Sequence, residues 1–266
     1  MSQRLSRVFA TAKEQRRGVL VAYLCVGDPD VEASLAIARA LLAAGADVLE
    51  LGAPFSDPTA DGPVIARASA RAIAAGGSMR AAIAVGARLR AESDAPLVLF
   101  GYCNPIVVRG ERATVEAVAD AGIDAMLVVD MPPEEGAELR AEARARGVDV
   151  IPLLTPTSSA SRIAAAKASA SGFVYYVSVT GVTGATTRDP FDDAARAAAR
   201  LREEMSLPVV VGFGIDDADK ARRALVGADG VVVGTAIVRA VEERGADVAG
   251  AAAAAADVVR RIRAGV

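Results

Sequence analysis

Asp47-Val48-Leu49-Glu50-Leu51-Gly52-Ala53-Pro54-Phe55-Ser56-Asp57-Pro58-Thr59-Ala60-Asp61-Gly62-Pro63 reads as a strand, a Gly/Pro-rich loop and the opening residue of a helix. Side chains alternate along a strand, so Leu49 and Leu51 share one face while Val48, Glu50 and Gly52 share the other. A carboxylate thus sits inside an apolar strand, and a second, Asp61, follows on the loop. Pro63 suits a helical first turn, where its missing N–H leaves nothing unpaired.

The same strand-then-helix unit recurs along the chain. Short apolar runs rich in β-formers lie near residues 19–25, 47–52, 97–102, 124–130, 149–154, 172–178, 208–213 and 229–234. Longer Ala/Arg/Glu-rich amphipathic segments separate them, at 28–45, 63–92, 110–121, 133–147, 157–170, 189–205, 216–227 and 236–264. Eight βα repeats predict a closed (β/α)8 TIM barrel of the α/β class, a single domain over residues 1–266. An open, doubly wound sheet would need a glycine-rich dinucleotide fingerprint after the first strand, and Cys25-Val26-Gly27-Asp28-Pro29 does not supply one. The second unit is longer than the others: Pro63 opens one helix and Ser78, after Gly76-Gly77, caps another, which predicts an extra helix after strand 2 at the barrel mouth. Leu5, Val8, Phe9 and Ala12 recur at helical spacing among charges, so residues 1–17 are expected to form an amphipathic helix over one end of the core, not a signal peptide.

Composition narrows the function. The 266 residues are 53% hydrophobic and carry 30 basic against 33 acidic side chains, with no long run of like charge to track nucleic acid or an anionic membrane. The Ala-rich stretch 250–256 is too short to span a bilayer, so the expected location is the cytoplasm. Cys25 and Cys103 are too few for a disulfide framework or a zinc site and are expected to be inert. No histidine is present, which removes Ser-His-Asp and Cys-His nucleophile systems and any imidazole base. Carboxylates, tyrosines, lysines and backbone amides are left to do the chemistry.

Glu50 and Asp61 lie where barrel enzymes place working residues, at a strand's carboxyl end and in the loop after it. A buried structural ion pair is the plain alternative for Glu50, but none of the eight strand cores contains Lys or Arg. A carboxylate kept from water without a cation has a raised pKa and carries a proton near neutral pH. Asp61 before Gly62 and Asp57 before Pro58 also fit ordinary turns, and Asp130, before Met131-Pro132, fits a bond to nearby backbone. Gly181-Val182-Thr183-Gly184, Gly212-Phe213-Gly214-Ile215 and Val233-Gly234-Thr235-Ala236 follow strands six, seven and eight. Glycine turns at consecutive strand ends, with a helix starting near Thr235, predict a phosphate cradle; singly, each is an ordinary chain reversal. Tyr23, Phe100, Tyr102 and Tyr175 fall near strand ends, where they line a pocket for a flat aromatic ligand or pack the barrel rim.

The run from Glu50 to Pro63 resembles the signature of the tryptophan synthase alpha subunit family. The likeness continues through Gly27-Asp28-Pro29, Tyr102-Cys103-Asn104-Pro105, Ser178-Val179-Thr180-Gly181-Val182-Thr183-Gly184, Gly212-Phe213-Gly214-Ile215 and Gly234-Thr235-Ala236-Ile237-Val238. The resemblance implies a lyase that splits indole-3-glycerol phosphate into indole and glyceraldehyde 3-phosphate in tryptophan biosynthesis, with no metal or organic cofactor on this subunit. It implies Glu50 as the acid-base residue and Asp61 as the partner of the indole N–H. Tyr23, Phe100, Tyr102, Leu127, Tyr175 and Thr183 become candidate substrate-binding residues, and Gly184, Phe213, Gly214, Gly234 and Thr235 candidate phosphate-binding residues. Thr183 falls on a loop that closes over substrate in that family. The implied partner is a beta subunit carrying pyridoxal phosphate, in an αββα heterotetramer, facing the loop 53–60 and the segment around Asn104-Pro105. A free-standing lyase that releases indole, a phosphosugar isomerase on a related barrel, and a non-catalytic paralogue that activates a partner remain alternatives.

Overall fold

Strand β1 (Val19–Cys25) lies between β2 (Val48–Gly52) and β9 (Gly230–Val233), parallel to both, in a computed structural model that describes residues 1–177, 190–212 and 214–266. The sheet continues on one side through β3 (Leu97–Gly101), β4 (Ala125–Val128) and β5 (Asp149–Val150). On the other side it runs through β8 (Val209–Gly212), β7 (Val174–Val177) and β6 (Leu153–Leu154). Every pairing is parallel. The two edges, β5 and β6, belong to one stretch of chain: Ile151 N–H donates to Met126 O at 2.9 Å, and Pro152 O accepts from Tyr175 N–H at 3.0 Å. The sheet therefore closes through residues 149–154. The run expected there as one strand is split because Pro152 has no N–H to give the ladder.

The alternation expected of β2 holds. Leu49 and Leu51 pack outward among the covering helices, with Ile37, Leu41 and Val85, whereas Val48 joins an interior cluster with Val21, Val98, Leu127 and Tyr175. Helix α1 (Gln3–Glu14), capped by the Ser2 hydroxyl accepting from Leu5 N–H, buries Leu5, Phe9 and Ala12 into that interior cluster. Phe9 meets Phe173 with ring centroids 5.8 Å apart, so the amphipathic first helix plugs one end of the barrel. The cap, the apolar spacing and the plug are one feature of the sequence seen at three scales.

Helix α2 (Val31–Ala43) is capped by Asp30 and packs against the C-terminal helix. The long second unit contains two helices, as its punctuation indicates: α3 (Pro63–Ala74) with proline in its first turn, and α4 (Met79–Arg90) capped by Ser78. Helix α4 covers β2 and β3, so α3 is the additional one. Its Ala68 and Ala72 pack beside Tyr23, Cys25 and Val238.

Two helical boundaries differ from the sequence reading. Helix α5 (Cys103–Arg109) precedes α6 (Glu111–Asp120), where only the second was expected. Pro105 and the β-branched Ile106-Val107-Val108 mask α5, since proline fits its first turn while the valines weaken helical propensity. After α7 (Ala137–Ala145), α8 (Ala160–Ser169), α9 (Pro190–Met205) and α10 (Ala218–Leu225), the expected final helix is two, α11 (Thr235–Glu242) and α12 (Val248–Arg263). Gly245, at φ +55°, turns the chain, and Asp247 caps the second by accepting from Gly250 N–H at 2.9 Å. Among the described residues, no helix is long and apolar enough to cross a membrane.

Candidate active site

A cavity of about 320 Å³ opens at the carboxyl ends of the strands. Tyr23, Phe100 and Tyr175 line it from β1, β3 and β7. Asp61, Gly62 and Ile65 reach it from the second unit, and Gly214, Gly234 and Thr235 from the last two. Residues far apart in sequence meet here because each ends or follows a strand of one closed sheet.

Glu50 pairs in register with Tyr23 on one side and Val98 on the other. It has no exposed surface, and neither carboxylate oxygen has a hydrogen-bond partner. Burial alone pushes its pKa up to about 8. The missing strand cation noted in the sequence thus has its structural counterpart in an uncompensated carboxyl group. Glu50 does not itself line the open cavity, but its charge acts on both Tyr23 and Tyr175, whose hydroxyl pKa values are raised mainly by burial. Tyr23 and Phe100 meet edge to face with centroids 5.1 Å apart.

Asp61 lines the cavity, and burial pushes its pKa up to about 6, against the opposing effect of a hydrogen bond. That bond comes from the Tyr102 hydroxyl, which donates to Asp61 Oδ2 at 3.0 Å and accepts from Ala60 N–H at 3.2 Å. The Tyr102 ring stacks on Phe55, with centroids 5.1 Å apart.

The structure does not bring Tyr102 or Leu127 to the cavity wall with the other candidates. Strand β3 ends at Gly101 and Tyr102 becomes the N-cap of α5, so its ring lies against the 55–61 loop instead of following Phe100 inward. Leu127 is fully buried in the interior cluster. At the other side of the mouth, Gly214 adopts φ +50°, a left-handed backbone that glycine takes without strain, and α11 starts at Thr235. Thr183 and Gly184, with all of residues 178–189, and Phe213 lie outside the described residues.

The remaining polar candidates are quiet. Cys25 is buried with its thiol pKa pushed up to about 12, chiefly by burial, consistent with an inert core thiol. Asp130 accepts from Cys103 N–H at 2.7 Å, a backbone contact as expected.

The chain was compared with known proteins. The family model for the tryptophan synthase alpha chain matches residues 9–265. The alpha chain of Geobacter sulfurreducens is 49% identical over 240 residues, covering 90% of each chain. That of Citrifermentans bemidjiense is 48% identical over the same share of both. The chain belongs to the tryptophan synthase alpha chain family.

Solved alpha subunits share its architecture throughout. That of Legionella pneumophila superposes with a TM-score of 0.90 at 32% identity, covering 99% of this chain and 97% of the other. A chain from Mycobacterium tuberculosis tryptophan synthase in an aminoacrylate-bound form gives a TM-score of 0.87 at 32% identity, covering 99% of both. For a member of the tryptophan synthase alpha chain family, several cavity residues went unmarked in the sequence. Val129, Leu153 and Val177 continue the inward alternation of strands β4, β6 and β7, and could have been found by extending that register. Ile65, Asp216 and Arg239 lie on helices or loops, where no period-two signal exists.

Proposed function

We propose that this chain performs the family's lyase reaction on indole-3-glycerol phosphate with Glu50 as the proton-transfer residue and Asp61 as the anion that holds the indole end. The observation that carries the reading is the contrast between two carboxyl groups at one barrel mouth: Glu50 is fully enclosed with neither oxygen hydrogen-bonded, whereas Asp61 lines the cavity and accepts from the Tyr102 hydroxyl, so burial raises the first to about 8 and the second only to about 6. At pH 7 the first is mainly protonated and the second mainly ionised, so the two are suited to different work.

Cleavage between indole C3 and the glycerol chain requires a proton delivered to C3, a proton removed from the adjacent hydroxyl, and stabilisation of a cationic indolenine. Protonated Glu50, turning from its enclosed position into the cavity, gives the first proton. As carboxylate it then accepts the second. Ionised Asp61 receives the indole N–H and balances the positive ring. Tyr23, Phe100 and Tyr175 enclose the flat ring, and Gly214, Gly234, Thr235 and the start of α11 offer backbone donors and a hydroxyl to the phosphate. Thr183, Gly184 and Phe213 join this site on the strength of the family motifs. Tyr102 serves by holding Asp61 instead of touching the ring. These acid-base groups are proposed to act without a metal or organic cofactor on this chain.

The proposal extends to one barrel domain over residues 1–266, located in the cytoplasm, and to a pyridoxal-phosphate-bearing beta subunit as partner in an αββα assembly. The loop 53–60 and α5 would face that partner. In α5, Val107 and Val108 are 57% and 80% exposed next to Pro105, an apolar patch suited to a protein contact. Indole formation from indole-3-glycerol phosphate tests the reading, with and without a beta subunit, on the wild type and Glu50→Gln. We expect indole from the wild type, more of it with the partner, and a loss of at least about a hundredfold in the variant; turnover intact in Glu50→Gln would overturn the assignment.

A further inference from the structure

Among the described residues, three of those lining the cavity carry a formal charge: Asp61, Asp216 and Arg239. Two are acids, and a phosphate monoester brings up to two further negative charges. The glycines, Thr235 and the start of α11 supply donors and a partial positive charge, and Arg239 is the one side-chain cation among the described lining residues that can add a full one. Asp216 is paired with Lys220, Asp61 accepts from the Tyr102 hydroxyl, and neither acid forms an ion pair with Arg239.

Arg239 follows Thr235 by one helical turn, which puts both on the same face of α11. It is exposed, and the acid three residues further along its helix, Glu242, is already occupied by Arg67 and Arg71. No carboxylate among the described residues forms an ion pair with the Arg239 guanidinium. An exposed arginine is often no more than a solvated side chain; what separates this one is its position on the cavity wall beside the helix start, with no ion pair to an acid among the described residues.

We propose that Arg239 is a phosphate-binding residue, the cationic side chain that neutralises the substrate's phosphate and makes the site select phosphorylated over phosphate-free ligands. The inference rests on the lyase reading above and deepens its phosphate end. A planar guanidinium can donate two parallel N–H bonds to phosphate oxygens, a geometry that a backbone cradle alone does not offer a dianion. Because the residue is exposed, the gain is that of one partly solvated charge-assisted bond, on the order of tenfold in affinity.

The test uses the full chain, its Arg239→Gln and Arg239→Lys variants, and two readouts. The first is binding of glycerol 3-phosphate, and separately of free indole, by calorimetry at several salt concentrations. The second is the split between kcat and KM for indole-3-glycerol phosphate. We expect Arg239→Gln to weaken glycerol 3-phosphate about tenfold, flatten its salt dependence, raise KM and leave kcat and indole binding near the wild type, with Arg239→Lys restoring the salt dependence but only part of the affinity, since it keeps the charge and loses the fork. Unchanged glycerol 3-phosphate affinity and salt slope, or an equal loss for free indole, would overturn the proposal. The binding arm stands apart from turnover. If the wild type binds glycerol 3-phosphate through Arg239 but forms no indole, the lyase reading fails and the phosphate assignment holds; if it forms indole with no Arg239 effect, the reverse is true.

Discussion

The Tyr102 hydroxyl pins the end of the 53–61 loop at two consecutive residues, donating to Asp61 Oδ2 at 3.0 Å while accepting from Ala60 N–H at 3.2 Å. A bond that donates to a carboxylate stabilises its ionised form, so this tyrosine opposes the burial that raises Asp61. The expected pH profile of kcat/KM is therefore a bell, with the acid limb near the Asp61 value of about 6 and the basic limb near the Glu50 value of about 8. Tyr102→Phe removes the donor and should move the acid limb upward while leaving the basic limb in place. Activity should fall most below pH 7, on the order of tenfold. An unmoved acid limb would show that Asp61 does not need its charge.

Glu50 should also leave a signature in stability. In the folded chain it holds its proton up to about pH 8, whereas its ordinary value is 4.5, so unfolding releases a proton between these limits. The folded state binds more protons than the unfolded one, and stability contributed by this group is therefore greatest below pH 4.5 and declines as pH rises through 8. The slope approaches about 1.4 kcal/mol per pH unit between pH 5 and 7.5, an upper figure for a single group. Glu50→Gln carries no titrating group and should remove that slope. Urea unfolding at pH 5.5 and 8 would measure it: the gap between variant and wild type should move in the variant's favour at the higher pH, although the variant is expected to be inactive. Parallel pH curves would contradict the buried, uncompensated state of Glu50.

Much of this was legible in the chain for a local reason. The orientation of Glu50 follows from strand alternation, and its lack of a partner from the absence of cations in the strand runs. Both properties are carried by a few residues of β2 and its neighbours. The same holds for Ser78 and Pro63, whose capping chemistry divides the second unit into two helices. What was not legible depends on where separate segments stop. Tyr102 falls two residues after Phe100 and by alternation belongs beside it, but β3 ends at Gly101 and the next helix claims Tyr102 as its cap. Its bond to Asp61 spans 41 positions, and no local pattern encodes such a contact. Arg239 was equally silent, since an arginine on an amphipathic helix reads as solvated surface until the barrel brings that helix to the mouth.

Arg71 on α3 ties together two parts of the mouth. Its guanidinium donates to both carboxylate oxygens of Asp28, at 2.9 and 2.7 Å, and to Glu242 Oε1 at 2.7 Å. Asp28 is 5% exposed, so removing its partner strands a buried charge. Arg71→Met should destabilise the fold by about 2–3 kcal/mol, measured by urea unfolding. Because α3 carries Ile65 and α11 carries Thr235 at the cavity, the KM for substrate should rise as well. Arg71→Lys keeps the charge but cannot span both acids with a fork, and should fall between the two. Equal stability of Arg71→Met and wild type would remove the clamp from the account.

Gly212 explains how Tyr175 lies in the cavity wall. A Cβ at position 212 would sit 2.6 Å from the Tyr175 hydroxyl oxygen and 2.8 Å from its Cε1, so the ring occupies space that only glycine leaves open. Gly52 of β2 does the same for Tyr23 of β1: the added Cβ would meet the hydroxyl oxygen at 2.4 Å. Gly212→Ala should therefore displace the Tyr175 ring, and the cavity beside it offers the nearest free volume. The expected result is a rise in KM of about tenfold with a smaller change in kcat, since the ring lines the cavity and is proposed to enclose the substrate, not to move protons. Tyr175→Phe shortens the side chain at its closest contact, so in the Gly212→Ala background it should recover part of the loss, although alone it is expected to weaken binding. Such a sign change in a double-mutant cycle indicates direct contact between the two positions. Purely additive effects on KM would mean that the alanine acts through the following turn and not through the ring.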